Sequence, residues 1–260
     1  KFIADTNNEV KNENQEDKKC EDVQLLLKDL AYGYDKVLLR DINLSIKKGN
    51  KTLIVGTSGC GKSTLFYVLM RLLYPLKGNI FIQGKNYDDL AEKSIREHFA
   101  VAFQEHHIFN LSIRDNFKML YENITDEEIY KSLENVYLLD FVKQVGLDYI
   151  VGNDGNKLSG GQKHRLQLAI CLAKQKDIIL LDEPTAGLDI KTTNNICSQL
   201  MEKYQKQTMI VTSHDISLLR FFDDIIICGE EKIIEQGNIK KLLLREDSYL
   251  NKLIRYKNFI

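Results

Sequence analysis

Gly56-Thr57-Ser58-Gly59-Cys60-Gly61-Lys62-Ser63 is the stretch from which the fold can be read. It fits G-x-x-x-x-G-K-[ST], the pattern of a phosphate-binding loop. The short apolar run Lys51–Val55 precedes it, and Ser63–Leu73, apolar almost all round, follows. A strand entering a Gly-rich turn that opens a buried helix is the setting in which this pattern carries its chemistry. Glycines let the backbone turn its N–H groups toward a phosphate, and the helix N-terminus adds positive potential. Lys62 is expected to reach the β- and γ-phosphates of a nucleoside triphosphate. The Ser63 hydroxyl is expected to bind Mg²⁺, and Thr64 beside it completes the nucleotide-binding run. The plain alternative is a strand-to-helix turn without a ligand.

Working outward, four apolar strand candidates end in chemically capable residues. Lys51–Val55 runs into the loop, and Ala100–Phe103 ends at Gln104. Ile178–Leu181 ends at Asp182-Glu183, and Met209–Thr212 ends at Ser213-His214. Continuous apolar runs suit central parallel strands covered on both faces. Ligands of open α/β sheets sit at the carboxyl ends of the strands, so parallel neighbours would bring the four groups to one place. Nearer the N-terminus, Val23–Tyr32, Leu39–Ile46 and Asn79–Gln83 alternate like strands, with turns expected at Gly33, Gly49 and Gly78. Residues 105–175 read as mostly helical, with Ser94–His98 leading in.

Composition narrows the class. The chain is 43% hydrophobic and 28% charged with a net charge of −1, ordinary for a folded soluble domain. Its Lys and Arg are spread out rather than gathered in a basic stripe, so nucleic acid is not an expected partner. No apolar run approaches the roughly 20 residues that span a bilayer, and the polar N-terminus lacks a signal-peptide pattern. The chain begins with Lys1, which suggests a piece cut from a longer polypeptide. Residues 1–22 are half charged and rich in Asn, and are expected to be a flexible linker before a domain over 23–260. Cys20, Cys60, Cys171, Cys197 and Cys228 are scattered without C-x-x-C spacing, which fits a reducing cytoplasm better than a disulfide framework or zinc site. Adjacent residues rarely chelate together, so His106-His107 is read as surface rather than metal site. Cys60, beside Lys62 and a helix N-terminus, is expected to be the most reactive thiol when nucleotide is absent.

Asp182 closes a buried strand, where a carboxylate is costly without a cation, so it is expected to hold hydrated Mg²⁺. Glu183, one residue on, is the candidate to orient and deprotonate the attacking water. The plainer role for both acids is to cap the next helix. Leu158-Ser159-Gly160-Gly161-Gln162 lies between the phosphate loop and Asp182 and opens a helix. A serine, two glycines and a helix N-terminus make a second anion-binding device. Here the chain resembles the ATP-binding cassette (ABC) family, whose signature reads LSGGQ, over roughly residues 23–255.

The resemblance implies an α/β fold. It would have a P-loop NTPase core, an antiparallel β-subdomain and an inserted helical subdomain over about residues 105–165. It implies a Mg²⁺-dependent ATPase that works as a head-to-tail pair, as a homodimer or with a second nucleotide-binding domain. Ser159, Gly160, Gly161 and Gln162 of one copy would close over the γ-phosphate held by Lys62 of the other. Tyr34 matches the aromatic that stacks on adenine; Tyr32 is the alternative, with core packing the expected role. Gln104 matches the glutamine that touches Mg²⁺, Asp189 belongs to the D-loop Ala186-Gly187-Leu188-Asp189, and His214 matches the switch histidine on the γ-phosphate. Lys163-His164-Arg165 is read as a solvated helix face.

Residues 108–116 and the segment Gly152-Asn153-Asp154-Gly155-Asn156-Lys157 resemble exporters, although Asn153-Asp154 replaces the Glu-Arg of the exporter pattern. Pro184-Thr185-Ala186-Gly187 is common in importer subunits. A non-transport ABC ATPase is the alternative from another class. The expected setting is the cytoplasmic face of a membrane, held there by transmembrane domains outside this sequence.

Overall fold

Side chains on a strand point alternately to opposite faces, and in this protein that alternation divides the core in two. The computed structural model describes residues 22–104 and 107–257, so the expected linker over residues 1–22 lies almost wholly outside the described residues. The strands are β1 (Val23–Gly33), β2 (Val37–Lys47), β3 (Lys51–Gly56), β4 (Lys77–Ile82), β5 (Lys85–Asn86), β6 (Phe99–Ala102), β7 (Ile178–Asp182), β8 (Thr208–Thr212), β9 (Asp224–Cys228) and β10 (Ile233–Asn238). The helices are α1 (Lys62–Leu69), α2 (Glu92–Glu97), α3 (Ile113–Lys118), α4 (Asp126–Glu134), α5 (Leu139–Val145), α6 (Gly160–Leu172), α7 (Ile190–Lys203), α8 (Ile239–Leu243) and α9 (Tyr249–Lys257).

Two sheets form. The smaller is antiparallel, in the order β2-β1-β4-β5. The larger runs β10-β9-β3-β8-β7-β6, parallel from β9 to β6, with β10 antiparallel at the edge. The four strands expected to be parallel neighbours are therefore consecutive, in the order β3-β8-β7-β6. On β7, Ile178 and Leu180 face one core with Phe66 of α1 and Leu25, Leu27 and Ile80 of the antiparallel sheet. Ile179 and Leu181 face the other core with Leu166 of α6, Ile196 of α7 and the helices α3 to α5. Both faces of the large sheet are covered, which is why its strands read as unbroken apolar runs.

Three local differences from the sequence reading have physical causes. Gly78 lies inside β4 rather than at a turn, where β1 shifts register between Lys28 and Ala31. The buried helix ends at Leu69 instead of Leu73, because Arg71 takes a left-handed φ of 55° and leaves Leu72 exposed. Among the described residues the helical stretch after Gln104 is four separate α-helices, two of them closed at the start by capping boxes, Thr125 with Glu128 and Ser159 with Gln162. No helix among the described residues is long and apolar enough to cross a membrane.

Phe66 is fully buried where the phosphate-loop helix meets the antiparallel sheet. Phe66→Ala should destabilise the domain by about 3–5 kcal/mol through lost burial and a residual cavity. Urea unfolding should show a lower midpoint at unchanged slope. A loss below about 1 kcal/mol would mean that α1 is not anchored in this way.

Candidate functional site

β3 delivers Gly56 to the carboxyl edge of the large sheet, in register with Cys228 on β9. A Cβ at Gly56 would lie 2.7 Å from the Cys228 carbonyl oxygen and 2.8 Å from Cys60 Sγ, so only glycine fits. At Gly59 the chain is left-handed with φ +79°, and a Cβ would meet nothing within 4 Å; the outer side of the loop is open. Gly61 enters α1, which no side chain caps. The first N–H groups of that helix are thus left for a ligand. Thr57, Ser58 and Gly59 are exposed, Ser63 is half-buried, and Cys60, Lys62 and Thr64 are buried. Lys62 Nζ donates to the carbonyls of Gly56 at 2.9 Å and Thr57 at 3.1 Å. A buried ammonium beside an open turn of N–H groups suits an anion the size of a phosphate.

Of the two tyrosines, Tyr32 is fully buried, and its hydroxyl donates to the Gly61 carbonyl at 3.0 Å. It braces the loop from inside the core. Tyr34 is 59% exposed, leaving its ring open to a ligand.

Asp182 and Glu183 follow β7 beside the loop. Thr212, ending β8, ties them together: its hydroxyl donates to Asp182 Oδ1 and accepts from the Glu183 N–H at 3.1 Å. The sequence reading missed this threonine, although it ends one of the apolar runs. Glu183 holds a left-handed φ of 51°, a conformation that costs a non-glycine residue about 1–3 kcal/mol. Its carboxylate faces His214, accepting from the backbone N–H at 3.4 Å and lying 3.2 Å from Nε2. Burial pushes the Glu183 carboxyl above its ordinary range, against the opposing pull of His214 and Lys62. Neither acid caps a helix; α7 is capped by Asp189, which accepts from the Thr192 N–H at 2.9 Å.

Exposed Gln104 follows β6 and lines a cleft of about 600 Å³ with Glu183, Gly160, Gly161 and the segment Ala186-Gly187-Leu188. No residue of the phosphate loop lines this cleft. Ser159 caps α6, accepting from the Gln162 N–H at 3.2 Å, while Gln162 Oε1 accepts from the Ser159 N–H at 2.9 Å. The structure therefore gathers Lys62, Asp182, Glu183 and His214 at one edge, while Gly160 and Gly161 share a cleft with Glu183 and Gln104 that the phosphate loop does not line.

Sequence and fold are similar to those of known proteins. The family model described as ABC transporter matches residues 39–186. This chain belongs to the ABC transporter family. It is 34% identical over 206 residues to the β-(1→2)glucan export ATP-binding/permease protein NdvA of Agrobacterium vitis, covering 78% of this chain and 35% of that protein. It is 34% identical over 230 residues to the glutathione/L-cysteine transport system ATP-binding/permease protein CydC of Escherichia coli K12, covering 87% and 40%. Among solved structures, a bacterial Atm1-family ABC exporter with ATP bound superposes with a TM-score of 0.84 at 29% identity, covering 90% of this chain and 42% of that one. The chain thus spans about a third to two-fifths of the length of these relatives.

Within this ABC domain, one reading needs correction. Lys163-His164-Arg165 is not a solvated face. His164 is buried and bonds the Pro184 carbonyl, Lys163 pairs with Asp154 at 2.6 Å, and Arg165 donates to the carbonyls of Gly161 and Tyr137. Three successive residues on a helix spread over most of a turn, and each direction here meets another part of the fold. His164 links the start of α6 to the loop after Glu183. His107 lines the cleft, while His106 lies outside the described residues.

Proposed function

We propose that this chain is the Mg²⁺-dependent ATPase domain of a membrane exporter, hydrolysing ATP between two copies arranged head to tail. The observation that carries this reading is the meeting of Lys62, Asp182, Glu183 and His214 at one sheet edge, with no phosphate-loop residue in the cleft that Gly160 and Gly161 line. A second copy supplies the Ser159–Gln162 segment to the first.

In this account Gly56, Thr57, Ser58, Gly59, Cys60 and Gly61 present backbone N–H groups to the phosphates, and Lys62 leaves its two carbonyls to pair with the β- and γ-phosphates. Ser63, Asp182 and Gln104 offer a hydroxyl, a carboxylate and an amide oxygen, an all-oxygen set that suits Mg²⁺. Bound there, Mg²⁺ would neutralise charge on the terminal phosphates. Thr64 lies against the nucleotide side of α1, and Tyr34 stacks on adenine. Glu183 takes a proton from the attacking water, and His214 orients the carboxylate and contacts the γ-phosphate. Ser159, Gly160, Gly161 and Gln162 of the second copy bind the same phosphate, and Asp189 fixes the connecting D-loop by capping α7.

The domain covers residues 23–260, with the helical insertion near 105–165 as its contact toward the membrane partner. The names of the relatives, ATP-binding/permease proteins and an exporter, support placement on transmembrane segments of a longer polypeptide or a partner; we place the domain at the cytoplasmic face. Phosphate release from ATP should require Mg²⁺, stop on chelation with EDTA and return when Mg²⁺ is restored. Unchanged release in EDTA would overturn the metal assignment.

A further inference from the structure

The phosphate loop carries a second chemical feature that ATP hydrolysis does not use. Cys60 lies within it, and Cys228 ends β9 directly alongside, in register with Gly56. The two side chains converge on the same side of Gly56: a Cβ there would meet Cys60 Sγ at 2.8 Å and Cys228 Cβ at 3.0 Å. Each thiol influences the other directly, and Lys62 stands near both. Both cysteines are buried, but Thr57, Ser58 and Gly59 just before Cys60 are exposed. The other described cysteines, Cys171 and Cys197, are free and buried.

We propose that Cys60 and Cys228 are an oxidation site, closing to a disulfide when a hydroperoxide reaches the nucleotide-free loop and thereby shutting it to ATP. Cys228 beside it and the Lys62 charge lower the Cys60 thiol from its ordinary range, which favours its thiolate. The adjacent Cys60, and then burial, push Cys228 up, so it remains the protonated partner. Burial raises Cys171 to about 12 and Cys197 to about 11, which leaves both as inert thiols.

The chemistry balances with hydrogen peroxide as the oxidant. Cys60 thiolate attacks one peroxide oxygen, the O–O bond breaks, and hydroxide leaves, giving a sulfenic acid. Cys228 then attacks Cys60 Sγ; its proton and the sulfenic hydroxyl depart as water, and the S–S bond forms. Overall two thiols and one peroxide give one disulfide and two waters. The bond fastens the loop to β9, so the turn can no longer rearrange to receive phosphates. This last effect rests on the proposed nucleotide site, whereas formation of the bond does not.

The test treats the nucleotide-free chain with hydrogen peroxide, blocks remaining thiols and digests it without reductant. Mass spectrometry should find the peptides of Cys60 and Cys228 joined. Binding of radiolabelled ATP should fall by about tenfold or more and recover with dithiothreitol. Cys228→Ser should bind ATP normally before oxidation and lose it irreversibly afterwards, because Cys60 then passes to sulfinic acid. Cys228→Ala, which removes the thiol without adding volume, serves if the serine variant folds poorly. Absence of the joined peptides, or loss in the variants that dithiothreitol reverses as in the parent, would overturn the proposal. A joined peptide in a chain that binds no ATP even when reduced would instead contradict the nucleotide site.

Discussion

Glu183→Gln should abolish turnover while leaving ATP bound. Glutamine keeps the size and the hydrogen-bonding amide oxygen but cannot accept a proton from water. A general base contributes about 10²–10⁴-fold, or ~3–5 kcal/mol of barrier, so phosphate release should fall by that factor. The structure sharpens the expectation. The carboxylate is buried, held in a left-handed backbone and directed at His214, a costly arrangement. Equilibrium binding of ATP should stay within a few-fold of the parent, because Lys62 and the loop are untouched. Near-normal release by the variant would exclude Glu183 as the base.

Ser159→Arg should be as severe by a different route. The Ser159 hydroxyl caps α6, and its N-terminal N–H groups form the device proposed to meet the γ-phosphate of the other copy. Arginine removes the cap, costing about 1 kcal/mol locally, and fills the place where a phosphate must approach. Loss of one preorganised donor costs about 10²–10³ in rate, and blocking the approach removes the whole device. A single copy should still bind ATP with parental affinity, since no phosphate-loop residue shares the cleft at that helix end. Strong loss of ATP affinity in the isolated variant would contradict action across two copies.

Much of this was legible in the sequence for a physical reason. The parallel strands are buried on both faces, so each appears as an unbroken apolar run whose last residue marks the sheet edge. Gly56–Ser63, Gln104, Asp182-Glu183 and His214 could therefore be placed at one edge before their neighbours were known. What could not be read were contacts between distant segments. Thr212 joins two acids thirty residues earlier, His164 reaches Pro184, and Cys228 meets Cys60 only because β9 pairs with β3. The run Ile225-Ile226-Ile227 was not singled out in the sequence, and nothing in it says which strand lies beside it. Ser63–Leu73 misled because composition cannot show that the backbone reverses hand at Arg71. Lys163-His164-Arg165 misled because charge suggests solvent unless partners are known.

The central claim is that ATP is hydrolysed between the phosphate loop of one copy and the Ser159–Gln162 segment of another. Mixing Lys62→Ala with Ser159→Arg tests it most directly. Each variant alone should be inactive. A mixed pair contains one intact site, made from the loop of the Ser159→Arg chain and the signature of the Lys62→Ala chain. Phosphate release well above either parent is the predicted result. A mixture as inactive as its components, with both chains folded and able to pair, would contradict the account, because each chain would then have to supply its own loop and signature to a single site.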